Sequence, residues 1–416
     1  MAMSSADRVM TPREYVHLHN RAGFGLRPGE LPSGRYPTRR EAVDELLNIG
    51  DIEPARPTSD RVDQNLTVSY PLRSDWLKRM SHPGRQALLE RMTLFWHDHF
   101  ACLPIRENIA YRQLNLLRRE GLGDFRSLAT GMATDVAMMR YLDAVYITRE
   151  APNENFAREI LELFTVGLEG YTEADVRGLA KSLAGWGIDD RETFSIHKDQ
   201  LDPGPKTIFG TTRAFGGEEA VAYAASQPQT ARFLTEKLWR YLTDQPPGVA
   251  LTDRLARVLY GGDFAIGPWV RALLLSDEFY ADGLIGRKIK SPIDLLVMWT
   301  RHVGADLPDD TDRWVNFTRF NGQFLFAPPS VAGWPGGRSW LNSSSVSFRM
   351  ALPSVAAGAR YEKPTDLNTF EGLAGYAAAA VERCRRDGSL ARRMLNVEAD
   401  LRDAVALANH STYQYA

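Results

Sequence analysis

Apolar positions recur along most of the chain three and four residues apart, the period of an α-helix with one buried face. Between Gly84 and Phe100, Leu88, Met92 and Phe95 keep that spacing, with Leu89 and Trp96 alongside, and Leu114, Leu117 and Leu122 carry it on. Capping residues mark the starts. Thr11-Pro12 combines a cap with proline at the first helical position. Thr38 precedes a helix through Ala42, Leu46 and Leu47 to Gly50. Asn153 caps a helix over 153–166, and Thr172 opens another, with Asp175 three residues on as an acidic capping box. The period breaks at 31–38 and 51–68, and again over 190–216. There Phe194, Ile196, Ile208, Phe209 and Phe215 stand among Asp202, Pro203, Gly204 and Pro205, which predicts a short hairpin or extended flap. Helices resume at Gly217, Gln245-Pro246-Pro247 ends one of them, 326–342 forms a rigid aromatic loop, and Asp366–Leu407 is helical again. The expected fold is mainly α, a multi-helix globular domain. Two helical lobes, 1–189 and 217–416, would flank a β-like insertion at 190–216.

Composition narrows the class. A chain of 416 residues with 44% hydrophobic and 25% charged residues has enough apolar surface for a large core, so wholesale disorder is excluded. The net charge of −2 gives no general attraction to nucleic-acid backbones or anionic membranes. The basic cluster Arg383, Arg385 and Arg386 reads as a solvated helix face. Two distant cysteines, Cys102 and Cys384, make neither a disulfide framework nor a cysteine zinc site, and a reducing compartment fits them. The first 25 residues carry no apolar run behind a basic flank, and no stretch approaches the roughly 20 apolar residues of a membrane span. The expectation is therefore a cytoplasmic protein.

Four blocks stand out: NRAGFGLRPGE at 20–30, ERMTLFWHDHF at 90–100, PNENFAREILELFTVGLEGYTEADVRGLAKSLAGWGID at 152–189, and DPGPKTIFG at 202–210 together with GWPGGRSW at 333–340. In order and spacing the chain resembles, almost end to end, the bacterial family named domain of unknown function 1800. The resemblance implies a mostly helical bacterial protein and brings no reaction, cofactor or catalytic residue with it. Many relatives look exported, whereas this sequence shows no evident signal peptide. It also has Leu201 before Asp202 and Gln227 before Pro228, where histidine is expected in many relatives, which counts against a family-wide metal site here.

The candidate chemistry centres on two blocks. In FWHDHF, a helix points His97 and His99 about 200° apart, so they chelate one metal only if the segment is extended. Otherwise His99 is a core histidine bonded to a carboxylate and His97 a surface one. In PNENFAREILELFT, Phe156, Ile160, Leu163, Phe164 and Gly167 form the apolar stripe, and Glu154, Arg158 and Glu162 make a ladder on the far side. Glu159 borders the stripe, where burial tunes an acid or base. The expected site joins His99 and Glu159 as an acid–base or metal-binding pair. Arg158 and Lys206 would hold an anionic group beside Asp202, with Trp334 and Trp340 as aromatic walls. His97, His99, Glu159 and Glu162 are the candidate ligands if a divalent metal such as zinc, manganese or iron is bound. Asp309, Asp310 and Asp312 read as a helix-starting acidic cluster. The function expected is an enzyme acting on an anionic or ring-bearing small molecule or carbohydrate, with no nucleic-acid or membrane partner. The alternative is a scaffold or protein-binding module with a buried structural network.

Overall fold

A computed structural model describes residues 5–352 apart from 56–67, 69, 105, 305, 308–310, 343–344, 347–348, 350 and 351. The tail Asp366–Leu407, with Cys384 and the Arg383–Arg386 cluster, lies outside the described residues. So do Asp309, Asp310 and the side chain of Asp312.

The described residues form α1 (Pro12–Ala22), α2 (Arg39–Leu47), α3 (Tyr70–Ser81), α4 (Ala87–His99), α5 (Glu107–Glu120), α6 (Phe125–Ala133), α7 (Val136–Tyr141), α8 (Glu154–Glu159) and α9 (Glu173–Ser182). Two hairpins follow, β1 (Trp186–Ile188) with β2 (Phe194–Ile196) and β3 (Lys206–Ile208) with β4 (Thr211–Arg213). The chain then continues with α10 (Gly217–Ala225), α11 (Pro228–Thr243), α12 (Val249–Gly261), α13 (Ile266–Leu275), α14 (Pro292–Val303) and α15 (Thr311–Phe320). The protein is mainly helical, and the flap expected over 190–216 is this pair of small antiparallel hairpins. Among the described residues, no helix is long and apolar enough to cross a membrane.

The caps form where the sequence places them. Thr11, Thr38 and Thr172 each accept the N–H of the residue three further on, while Glu14, Glu41 and Asp175 reach back to the cap's own N–H. Asn153 accepts the Phe156 N–H at 2.8 Å. The helix it starts changes register: Glu154–Glu159 is α-helical and Ile160–Thr165 is a π-helix. That shift buries Ile160, Leu161, Phe164 and Thr165 and leaves Leu163, expected in the apolar stripe, only half-buried.

Two hydrophobic cores share α4. The larger runs from Met10 to Tyr280 and takes Leu88, Met92, Phe95 and Trp96 from α4. The smaller gathers Trp76, Leu114, Ile293, Leu296, Trp314 and Phe326 and takes Leu94. The larger core draws on helices both before and after 190–216, so the hydrophobic packing is not divided at that insertion. The seam between the cores, along α4, is where polar groups collect.

Candidate functional site

His97 and His99 do lie on opposite sides of α4, and both are buried. His99 faces the larger core, among Phe95, Trp96, Phe100 and Phe164, and its Nε2 bonds the Phe164 carbonyl at 3.1 Å. His97 faces the smaller core, against Trp76, Phe326 and Trp334, and its Nε2 accepts the Phe326 N–H at 2.9 Å. Neither half of the surface–carboxylate alternative holds: His97 is not on the surface, and the partner of His99 is a backbone carbonyl that the π-turn presents. Burial favours the neutral imidazole, so His97 is held down to about 3 and His99 well below its ordinary value.

The acidic helix does not turn its charges inward. Arg158 forms a two-pronged surface pair with Glu173, at 2.6 and 2.9 Å, and Glu154 is exposed. Glu162 accepts the Tyr171 hydroxyl at 2.7 Å. Glu159 is half-buried, its carboxyl raised by burial and then by repulsion from Glu162. Among the described residues no three His, Cys, Asp or Glu side chains stand close enough to hold a metal, so His97, His99, Glu159 and Glu162 do not converge. Lys206 does not clamp a ligand either. Its ammonium donates to the Asp202 and Phe215 carbonyls inside the insertion, and Asp202 accepts the Gly204 N–H at 2.8 Å. Trp340 is buried, and its carbonyl accepts the Ser345 hydroxyl at 2.7 Å. Trp334, by contrast, belongs to the seam. Its backbone N–H donates to Asp98 Oδ1 at 2.8 Å.

That contact leads to a group of residues the sequence reading missed. Arg91, Phe95 and Asp98 share one face of α4 at i, i+4 and i+7; Lys237, Tyr241 and Asp244 repeat the spacing along and just past α11. The two stripes face each other. Arg91 Nη1 donates to the Tyr241 hydroxyl at 3.4 Å, the Phe95 and Tyr241 rings lie 5.2 Å apart, and the charges of Asp98 and Lys237 act on each other. The segment leading into α14 adds Lys288 and Lys290 and the first turn of α14 adds Asp294; α1 adds Arg21, and Arg349 joins from the far end. Six basic side chains thus meet three carboxylates, Asp98, Asp244 and Asp294, among the described residues.

Part of this group is closed. Asp294 is buried between Arg91, whose Nη1 is 2.5 Å from Oδ1, and Lys288, whose Nζ is 3.3 Å from Oδ2. Both outweigh desolvation and hold its carboxyl far below the usual range. Arg91 also donates twice to the Gly23 carbonyl and lies 4.1 Å over the Phe24 ring. Arg21 lies outside that pairing. Arg21 is only 6% exposed, yet its guanidinium makes no hydrogen bond or ion pair with a described residue, and its Nε is fully sequestered. Burial, tempered by the Asp294 charge, lowers Arg21 to about 10. Arg349 Nε and Nη2, His19 Nε2 and Asn20 Oδ1 are likewise sequestered without partners. Lys237, Tyr241, Lys288, Lys290 and Asp98 are half-buried, and burial shifts the protonation of each.

Two glycines sit at close approaches in the seam. Gly333 has φ +85°, and a Cβ there would lie 2.4 Å from Asp98 Oδ1, so only glycine lets the loop close over that carboxylate. Gly25 has φ +78°, and its Cβ would meet His302 Nε2 at 2.6 Å. The blocks 20–30, 90–100 and 333–340 therefore converge on one seam, whereas 152–189 meets α4 and α11 at its π-turn, through the Phe164 carbonyl and ring and through Gly167, which abuts Phe233.

The family described as protein of unknown function (DUF1800) matches residues 17–413, and the chain belongs to it. No curated protein and no solved structure matches.

Proposed function

We propose that this DUF1800 protein is an enzyme whose substrate is a small anion, held between α1, α4, α11 and the start of α14. The observation that carries this is Arg21: a guanidinium that is 94% buried has no counter-charge within bonding distance among the described residues, and Arg91, Lys288, Lys290 and Arg349 act on the same ground. A buried cation without a partner costs several kcal/mol and is retained where a ligand completes it. A purely structural network looks different, and one is present in the same molecule. Glu90 accepts from Arg118 at 2.9 Å and from Trp76 at 3.0 Å, and Arg118 also donates to the Glu53 carbonyl and, at 2.9 Å, to Gln86. That network is complete without a ligand.

A carboxylate or phosphate fits the donors offered, since a guanidinium matches both in two-pronged geometry and the lysines add point charges. The low cysteine count leads us to place the activity in the cytoplasm. The test is thermal denaturation with inorganic phosphate, sulfate, pyruvate and citrate against a chloride reference. A saturable rise in midpoint with at least one polyatomic anion, lost in Arg21→Met, is expected. Equal response of wild type and Arg21→Met to every anion would overturn the proposal and leave the scaffold alternative.

A further inference from the structure

Several other features stop short of a site. A recess of about 710 Å³ lined by Asp75, Trp76, Lys78 and Tyr111 borders Ala55, next to residues 56–67, which are not described. Glu192, at the tip of the β1–β2 hairpin, is held by Arg106, Arg112 and Arg140 and needs nothing more. The exposed side chains of Tyr146, Ile196 and Leu201 near that hairpin have nothing on them that names a partner.

Lys237 is different. The other lysines held in the interior have acceptors: Lys206 donates to two carbonyls, and Lys288 reaches Asp294 at 3.3 Å and lies 4.7 Å over the Tyr241 ring. Lys237 lies 5.7 Å from the Phe233 ring centre, and no hydrogen bond or ion pair reaches its ammonium among the described residues. Phe233 in turn lies 6.2 Å from the His99 ring. Across from it on α4 is Asp98, whose carboxylate is fixed by the Trp334 N–H. One turn along α11 is Tyr241 and about two turns back along α4 is Arg91, and Lys288 and the unpaired Arg21 act on the same cluster.

Building on the anion site proposed above, we propose that Lys237 is a nucleophile that forms an imine with the carbonyl of an anionic carbonyl compound such as a 2-oxo acid, with Asp98 as its acid. The nitrogen lone pair of Lys237 forms a bond to the carbonyl carbon, and the carbonyl oxygen takes the proton released by the nitrogen, giving a carbinolamine. The hydroxyl of that adduct then accepts a proton from the Asp98 carboxylic acid and leaves as water. The products are an iminium on Lys237 and the Asp98 carboxylate, so charge and atoms balance with no outside reagent. Arg21 and its neighbours hold the substrate's own carboxylate, and the aromatic side of the site, Phe95 and Phe233, limits water. The electrostatics agree with this assignment of roles. Burial lowers Lys237 to about 8, so a substantial share is the free amine at mildly alkaline pH, and burial raises Asp98 to about 6, so it carries a proton more readily than an exposed aspartate.

The experiment is reductive trapping of the intact protein with pyruvate and cyanoborohydride, read by intact mass and peptide mapping. One reduced pyruvate adduct per chain, located on Lys237, is expected. It should be absent in Lys237→Met and in Lys237→Arg, which keeps the charge and separates loss of chemistry from loss of fold. It should form on the order of a hundredfold more slowly in Asp98→Asn, with the alkaline limb of its pH profile removed, and phosphate should compete with it. Adducts spread over surface lysines and unchanged in both Lys237 variants would overturn the proposal. Stabilisation by phosphate or pyruvate without trapping removes Lys237 as nucleophile and leaves the anion site; absence of both removes the two together.

Discussion

Replacing Arg21 with methionine is expected to stabilise the ligand-free protein while abolishing its response to anions. Burial, only partly offset by Asp294, lowers the guanidinium from 12.5 to about 10, a differential cost of roughly 3 kcal/mol at about 1.4 kcal/mol per pKa unit. An arginine whose folded-state pKa lies below its unfolded value destabilises the fold wherever both states are protonated. The full cost is therefore present at neutral pH and is relieved only as pH rises above about 10. Methionine has a similar reach, so the packing of the stem along α1 survives while the charge goes. Replacing an unbalanced buried ion by an apolar side chain of similar volume should gain about 1–3 kcal/mol. In a chain of 416 residues that is a rise of about 1 °C in melting temperature per kcal/mol, too small to rest on alone. Urea denaturation in a buffer free of phosphate, sulfate and carboxylates gives the better measurement. A variant midpoint below wild type would show that Arg21 already has a structural partner, and the argument for an open site would fail with it.

Arg118→Met should do the reverse, lowering stability by about 3–5 kcal/mol because Glu90 is left buried and uncompensated, with the anion-induced shift retained; the same urea titration reads both. Arg158→Ala should change neither the denaturation midpoint nor the anion response, because the pair with Glu173 is at the surface. A large loss in either would restore the acidic helix as a functional element. Acid should destabilise the fold steeply. His17 and His97 are held down to about 3, His19 and His302 to about 4, and His99 well below its ordinary value, all chiefly by burial. Each is neutral when folded and protonated when unfolded below about 6.5, so stability is lost as pH falls from there. Asp98 and Asp135, raised to about 6 by burial, oppose this. The net uptake at pH 5 is about three protons, or about 4 kcal/mol per pH unit. Stability that stays flat between pH 6 and 5 would contradict the buried neutral histidines.

Much of the architecture was legible because it depends on local rules. Thr11, Thr38 and Thr172 cap helices by hydrogen bonds within four residues, and the helical period of 88–96 survives in α4 unchanged. The breakdown of that period at 190–216 marked β2, β3 and β4, while β1 at Trp186–Ile188 falls before it. The π-turn at 160–165 was not legible. It inserts no residue type of its own and changes only the register in which Leu163 and Phe164 face the core. The site was misplaced for a related reason. NENFARE puts three charges on one short helix, but Arg158 pairs at the surface with Glu173 of α9. The charges that meet in the seam are dispersed, one or two per element, and each looks ordinary in its own segment: Arg21, Arg91, Asp98, Lys237, Lys288, Asp294.

One signal was available. Arg91 and Asp98 flank the stripe of Leu88, Met92 and Phe95 on α4, with Phe95 between them at its border, and Lys237, Tyr241 and Asp244 repeat the same spacing along and just past α11. A surface-facing stripe would carry no aromatic at its centre, and a core-facing one would carry no charge at both ends. A stripe that has both, on two helices, has to face another polar surface inside the protein. Charges enclosed that way must either cancel in pairs, as Glu90 and Arg118 do, or leave a remainder for a ligand to neutralise. Here Asp294 is used up by Arg91 and Lys288, which leaves Arg21 and Lys237 uncancelled within the described residues. The remainder is positive, which favours the anion proposed for this site over a metal ion.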